Sequence, residues 1–246
     1  MKIDLNADLG EGFGKWKMGD DDAMLKVVSS ANIACGGHAG DNTTMNETIL
    51  SALKSGVVVG AHPGFEDRQG FGRRRLPLSV REVERLVAAQ VGALAGIAAL
   101  AGTSVAYVKP HGALGNWAAE DKDVAYGIVR AVRAVMPETP RILAISGSAL
   151  ESAAEAKSIE VFSEVFVDRG YTSQGGLIPR NQPGALIHDV DAAADRVIHL
   201  IETGKMPVCD GSEVALKVDS VCVHGDNEGA VAMARAARSR LEQIGV

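Results

Sequence analysis

The chain has 246 residues, of which 46% are hydrophobic and 23% are charged, and its formal net charge is −6. This composition is typical of a globular protein with a sizeable buried core, and it argues against disorder. Basic residues are scattered except for Arg73, Arg74 and Arg75, so the charge pattern excludes an extended nucleic-acid surface.

Short strand-like runs alternate with longer segments whose apolar residues recur every three or four positions, the pattern of repeated βα units. Seven strands are predicted, at residues 2–9, 30–35, 57–62, 105–109, 141–146, 161–167 and 220–224. Helices are predicted at residues 20–28, 41–54, 79–101, 121–136, 191–202 and 228–243, with another after the N-cap Ser148. Asp41 is a second predicted N-cap, and Ser79 with Glu82 forms a predicted capping box.

A polar loop at residues 168–188 is longer than most connections in compact domains, which favours a functional or lid-like role. Residues 206–216 are predicted to form an irregular or hairpin excursion. No low-complexity linker divides the chain, so we expect one α/β domain at residues 1–246. Seven βα units are compatible with a barrel or with a doubly wound open sheet.

Polar side chains at nearly every predicted strand end favour the barrel. In an open sheet, ligand groups cluster at one switch point, whereas every strand of a barrel ends at a common mouth. These residues are Asp4, Asn6, Asp8, Glu11, His38, His62, Lys109, His111, Glu164, Arg169, His224 and Asp226. We therefore predict an irregular (β/α)7 TIM-like barrel with its functional site at that mouth.

Asp4, Asn6 and Asp8 alternate along the first strand, so their side chains project from the same face. In a barrel that face points inward, and three inward polar groups indicate a functional role. The alternative is the solvent-facing side of an edge strand.

Four histidines follow strands beside glycine or proline, and we expect at least two of them to share a site. A structural role in turns is the alternative for each.

Asp8, His62 and His111 are candidate ligands of a divalent metal with an open position for water. No H-x-x-x-H or H-E-x-x-H motif supports the metal, and the same groups without it would supply a general base and acid.

Candidate anion-binding groups are Lys109, at a strand end, and Arg73, in a glycine-rich loop. A surface lysine and a solvated arginine run are the alternatives. Arg169 and Arg180 would add two further guanidiniums near the mouth. No G-x-x-x-x-G-K-[ST] sequence occurs, which argues against a Walker-type nucleotide site.

The first residues lack an apolar signal core, and no run approaches about 18 apolar residues. Three widely spaced cysteines, Cys35, Cys209 and Cys222, suit a reducing compartment and are interpreted as small buried hydrophobes. We expect a cytoplasmic protein without a membrane segment or a nucleic-acid partner.

Six motifs occur in order along essentially the whole chain: DLNADLGE, NIACGGHAGD, GAHPG, VKPHGAL, EVFVDRGY and VHGD, at residues 4–11, 32–41, 60–64, 108–114, 164–171 and 223–226. Together they resemble the LamB/YcsF family. Gly170 stands where the family pattern has alanine, and we expect no consequence for the site.

The resemblance implies a seven-stranded barrel similar to glycoside hydrolase and deacetylase barrels, acting as the A subunit of 5-oxoprolinase with partner subunits B and C. It implies cleavage of 5-oxo-L-proline to L-glutamate with ATP as co-substrate. Beside it, we expect a divalent metal, either Mg²⁺ with the ATP or a bound transition metal. A lactam is a poor electrophile, and phosphorylation of its amide oxygen would create a leaving group before water attacks.

The expected roles are water activation or metal binding for Asp8 and His62, acid–base work for His111, and phosphate or carboxylate contacts for Lys109 and Arg73. Residues expected to bind substrate or nucleotide are Asn6, Glu11, His38, Arg73, Glu164, Arg169, His224 and Asp226. Two alternatives stay open: a metal-dependent carbohydrate deacetylase-like hydrolase, and a non-catalytic subunit that binds 5-oxoproline.

Overall fold

A computed structural model describes residues 3–224 and 229–245. Its strands are β1 (Asp4–Leu9), β2 (Ser30–Ala34), β3 (Val58–His62), β4 (Arg141–Ile145), β5 (Glu160–Phe166), β6 (Lys205–Pro207), β7 (Glu213–Ala215) and β8 (Ser220–Val223). Six of them form a parallel sheet in the order β3-β2-β1-β8-β5-β4. The remaining two, β6 and β7, form the antiparallel hairpin expected within residues 206–216.

The sheet closes into a barrel through residues 105–109, which lie between its two edge strands. On one side the Ala61 amide donates to the Tyr107 carbonyl at 2.8 Å, and on the other the Val108 amide donates to the Arg141 carbonyl at 3.0 Å. Parallel bridges join Val108 to both Ala61 and Ile142. The predicted fourth strand is therefore present as a short irregular connection, and the seven-unit barrel is confirmed.

The helices are α1 (Asp21–Met24), α2 (Asn42–Lys54), α3 (Val80–Leu100), α4 (Gly112–Glu120), α5 (Lys122–Val135), α6 (Ala149–Ala156), α7 (Val190–Thr203) and α8 (Ala230–Gln243). The predicted caps are confirmed, because Asp41 accepts from the Thr44 amide and Ser79 forms a reciprocal pair with Glu82. Helix α1 is shorter than predicted. Helix α4 was not predicted, because its first four residues include two glycines, which disfavour helices.

Helix α3 is long and apolar enough to cross a membrane by length and composition alone. Its buried residues recur every three to four positions, including Val83, Val87, Val91 and Leu94, and they belong to the hydrophobic core. Such a single apolar stripe is the pattern of a helix lying against a protein interior. Helix α3 therefore belongs to the outer helical layer of the barrel.

The long loop at residues 168–188 folds back on itself beside the mouth. Antiparallel bridges join Arg169 to Leu186 and Tyr171 to Leu177. The Arg169 guanidinium donates to the carbonyls of Ala185 at 3.1 Å and Ile178 at 2.6 Å. The loop thus has its own hydrogen-bonded order, with Arg169 as the side chain that joins its two halves.

The presence of glycine at position 170 has a steric explanation that the motif pattern did not indicate. A Cβ at this position would overlap the carbonyl oxygen of Gly184, whereas a Cβ at Gly176 in the same loop would lie 3.6 Å from its nearest neighbour. We predict that Gly170→Ala lowers the free energy of unfolding by about 1–3 kcal/mol, since the backbone must shift to admit the methyl group. Urea denaturation measures this. Gly176→Ala is the matched control, and equal stabilities of the two variants would contradict the prediction.

Candidate active site

The predicted strand-end residues converge at the carboxyl end of the barrel around a cavity of about 390 Å³. Seven of them line it, together with Arg73 from the glycine-rich loop: Asp8, His62, Lys109, His111, Glu164, Arg169 and His224. The buried side chains of Asn6, Glu11 and His38 contact these lining residues from behind. Asp226 lies outside the described residues.

Burial excludes two of the alternatives that the sequence left open. Asn6 and Asp8 are 0% and 6% exposed, so this face of β1 points into the barrel rather than to solvent. Lys109 is 4% exposed and is therefore not a surface lysine.

Lys109 is the centre of a buried ionic cluster. Its Nζ lies 2.9 Å from Asp8 Oδ1 and 2.8 Å from Glu164 Oε1, and it donates to Asn6 Oδ1 at 3.2 Å and to Cys222 Sγ at 3.0 Å. Burial disfavours the ammonium, but the charges around it, Asp8 first, hold the pKa of Lys109 well above its usual value. Lys109 is therefore a buried cation that fixes two carboxylates.

The two carboxylates respond differently to the same environment. Burial acts against ionisation of Asp8, but His62 and Lys109 more than offset it, and the pKa of Asp8 is well below its ordinary value. For Glu164, burial outweighs the attraction of Lys109 and raises the pKa. Asp8 is thus held as a carboxylate at the cavity wall.

The second group at the mouth is a set of three histidines beside Glu11. The rings of His38 and His111 are stacked, with centroids 3.7 Å apart and planes within 4°. His62 Nε2 lies 3.0 Å from His111 Nδ1 and 3.3 Å from Asp8 Oδ2. Burial lowers the pKa of His38 and His111 well below the usual value, and neighbouring imidazoles lower it further. Both rings are therefore neutral at physiological pH.

Donor atoms of Glu11, His38, His62 and His111 all lie within 4.8 Å of one another, so these four residues could hold a metal ion. The predicted metal set contained Asp8 in place of Glu11 and His38. Asp8 Oδ2 lies 3.3 Å from His62 Nε2, but Asp8 is not among these four clustered residues, and its Oδ1 contacts Lys109 and Asn32.

His224 also lines the cavity, where it lies between the carboxylate of Asp168 and the guanidinium of Arg180. Its Nδ1 lies 2.8 Å from Asp168 Oδ1, and its Nε2 lies 3.0 Å from a terminal nitrogen of Arg180. Because a guanidinium only donates, Nε2 accepts and Nδ1 carries the proton that Asp168 receives as a hydrogen bond. This fixes the orientation of the ring, which stacks on Phe166.

Sequence reasoning missed two members of the site. Asn32 donates to Asn6 Oδ1 at 2.7 Å and to Asp8 Oδ1 at 2.9 Å. Cys222, interpreted as a buried hydrophobe, is buried but also contacts Lys109. The signal for Asn32 was strand register, since Asp8 pairs with Asn32 between β1 and β2.

Comparison with known proteins agrees with the fold and identifies the family. The profile of the LamB/YcsF family matches residues 3–246. This chain belongs to the LamB/YcsF family. Among curated LamB/YcsF relatives, it is 49% identical to the 5-oxoprolinase A subunit of Azorhizobium caulinodans, over 99% of this chain and 96% of the relative. It is 48% identical to the 5-oxoprolinase A subunit of Rhodopseudomonas palustris, over 100% and 97%.

A solved structure of this family has the same fold. The lactam utilization protein from Thermus thermophilus superposes with a TM-score of 0.94 at 42% identity, covering 100% of this chain and 98% of that one. The LamB/YcsF barrel described above is therefore shared along the full length of both chains.

Proposed function

We propose that this chain is the A subunit of a 5-oxoprolinase, a hydrolase that opens the cyclic amide of 5-oxo-L-proline to give L-glutamate. The names of the full-length relatives support this substrate class. The observation that carries the proposal is the cavity itself, which is lined by an ionised Asp8, by His62 and His111, and by Arg73 and Arg180.

The polar groups of the cavity match the needs of lactam hydrolysis. We assign the carboxylate of the substrate to Arg73 or Arg180, because guanidiniums bind carboxylates in a bidentate manner. Asp8, with His62 beside it, takes a proton from the attacking water and passes it to the ring nitrogen as the C–N bond breaks. Lys109 and Asn32 hold Asp8 in place through Oδ1.

We further propose that ATP drives the reaction. Transfer of the γ-phosphoryl group to the amide oxygen of the lactam gives ADP and an activated imidate. Water attacks the imidate carbon, the ring C–N bond breaks to leave an acyl phosphate of glutamate, and a second water releases phosphate. Mg²⁺ would accompany the ATP. Because the chain contains no Walker loop, ATP-dependent hydrolysis takes place in a complex with subunits B and C, in the cytoplasm.

The test is reconstitution of that complex. We predict that glutamate forms from 5-oxoproline only when this chain, subunits B and C, ATP and Mg²⁺ are all present, with one ADP released per glutamate. Glutamate formation without this chain would contradict its catalytic role, and formation without ATP would contradict the coupling. The assay is chromatographic detection of glutamate and ADP in the same sample.

A further inference from the structure

We propose that Glu11, His38, His62 and His111 form a binding site for one divalent transition-metal ion, with Zn²⁺ as the best match. The donor atoms are Glu11 Oε1, His38 Nε2, His62 Nε2 and His111 Nδ1. The inference depends on donor geometry and does not rest on lactam hydrolysis.

The distances between donors are those of a tetrahedral site. Three are 3.0 Å for His62 to His111, 3.1 Å for His38 to Glu11 and 3.7 Å for His111 to Glu11, and all pairs lie within 4.8 Å. Ligands placed at about 2.0–2.2 Å from a tetrahedral Zn²⁺ are separated from one another by about 3.3–3.6 Å. Small movements of buried side chains would bring the four atoms to this spacing.

Hydrogen bonds to backbone carbonyls orient two of the rings, His62 and His111, toward the proposed metal site. His62 Nδ1 lies 2.7 Å from the carbonyl of Lys109, and His111 Nε2 lies 2.8 Å from the carbonyl of Phe71. A carbonyl oxygen only accepts, so each of these nitrogens carries a proton. The other nitrogens, His62 Nε2 and His111 Nδ1, therefore face each other across 3.0 Å, and both offer lone pairs when a metal ion lies between them.

Two facing lone pairs repel unless a cation lies against both. Metal-bound histidines usually donate their second ring nitrogen to a carbonyl or carboxylate, which is the arrangement of His62 and His111. Three imidazoles and one carboxylate suit Zn²⁺, whereas Mg²⁺ and Ca²⁺ prefer oxygen ligands. With His62 occupied in this way, Asp8 keeps its role as the base, because Asp8 is not among the four clustered donors and its Oδ1 contacts Lys109 and Asn32.

Two glycines beside His38, Gly64 and Gly72, leave room for its ring. A Cβ at Gly64 would lie 2.5 Å from His38 Nδ1, and one at Gly72 would lie 2.6 Å from His38 Cβ. Glycine at both positions therefore allows the His38 ring to stack on His111 and to direct Nε2 at Glu11.

The experiment measures metal binding by the full chain, stripped with a chelator. We expect one Co²⁺ per chain with the visible spectrum of a tetrahedral ion, displaced by one Zn²⁺ in a calorimetric titration. Glu11→Gln and His38→Ala should weaken Zn²⁺ binding by more than the roughly 10–100-fold that loss of an outer-sphere contact costs. His199→Gln, at an exposed histidine paired with Glu213, is the control and should bind Zn²⁺ as the unsubstituted chain does.

Three results would overturn the proposal. One is the absence of stoichiometric Co²⁺ or Zn²⁺ binding, with a shared proton between His62 and His111 seen by NMR instead. A second is an octahedral Co²⁺ spectrum. A third is a loss of Zn²⁺ binding in Asp8→Asn as large as that in Glu11→Gln, which would return the site to Asp8, His62 and His111. The spectrum of the unsubstituted chain does not require any variant to fold, and none of these readouts requires catalytic activity.

Discussion

Lys109→Met is expected to destabilise the barrel and to abolish glutamate formation by the reconstituted complex. The substitution keeps an unbranched side chain of similar length but removes the cation between Asp8 and Glu164. Breaking a buried ion pair from one side costs about 3–5 kcal/mol, because the remaining charge stays buried without compensation. The free energy of unfolding from urea titration and the rate of glutamate formation measure the two effects.

Two further variants separate this cause from simple loss of packing. Lys217→Met removes a surface ion pair with Glu155 and should leave the unfolding midpoint unchanged, because solvent screens exposed pairs. Adding Glu164→Gln to Lys109→Met should recover part of the lost stability by removing one of the two carboxylates. A Lys109→Met variant as stable as the unsubstituted chain would refute the electrostatic account of this cluster.

The barrel could be predicted because its signals are local. Strand and helix periodicity, the cap at Asp41 and the capping box at Ser79 each depend on residues only a few positions apart. The alternation of Asp4, Asn6 and Asp8 also indicated an inward face correctly. The structure then places Asn6 and Asp8 in the barrel interior, as that alternation requires.

The partners within the site could not be predicted, because they depend on register and on loops far apart in the sequence. Asn32 reaches Asp8 only because β1 and β2 pair with those residues side by side. His111 Nε2 meets the carbonyl of Phe71, a residue in a loop forty positions earlier, and this contact fixes which nitrogen is a donor. Polar strand ends therefore indicated the place of the site, but not which residue faces which.

The candidate metal set illustrates the same limit. Asp8, His62 and His111 were grouped by residue type and strand end, which gives no distances. In the structure Lys109 Nζ lies 2.9 Å from Asp8 Oδ1. Glu11, in the turn after β1, places its Oε1 3.1 Å from His38 Nε2. The contact between Lys109 and Asp8 is a tertiary effect that motif spacing does not indicate.

Asp8→Asn is expected to lower the activity strongly without removing the buried cation at Lys109. The amide has nearly the shape of the carboxylate but cannot accept a proton from water, so kcat for glutamate formation should fall by about 10²–10⁴-fold. The KM for 5-oxoproline should change little, since the proposed contacts to the substrate carboxylate come from arginines. Steady-state kinetics of the reconstituted complex separates the two parameters.

Asp4→Asn is the matched control on the same strand and face. Asp4 accepts hydrogen bonds from the hydroxyls of Ser29 and Ser30 and does not line the mouth cavity. Its substitution should leave kcat near that of the unsubstituted complex, even where it lowers stability. Because the two aspartates differ in position along β1 but not in chemistry, an equal fall of kcat in both variants would mean that loss of charge in the barrel, rather than loss of a base at its mouth, limits the reaction.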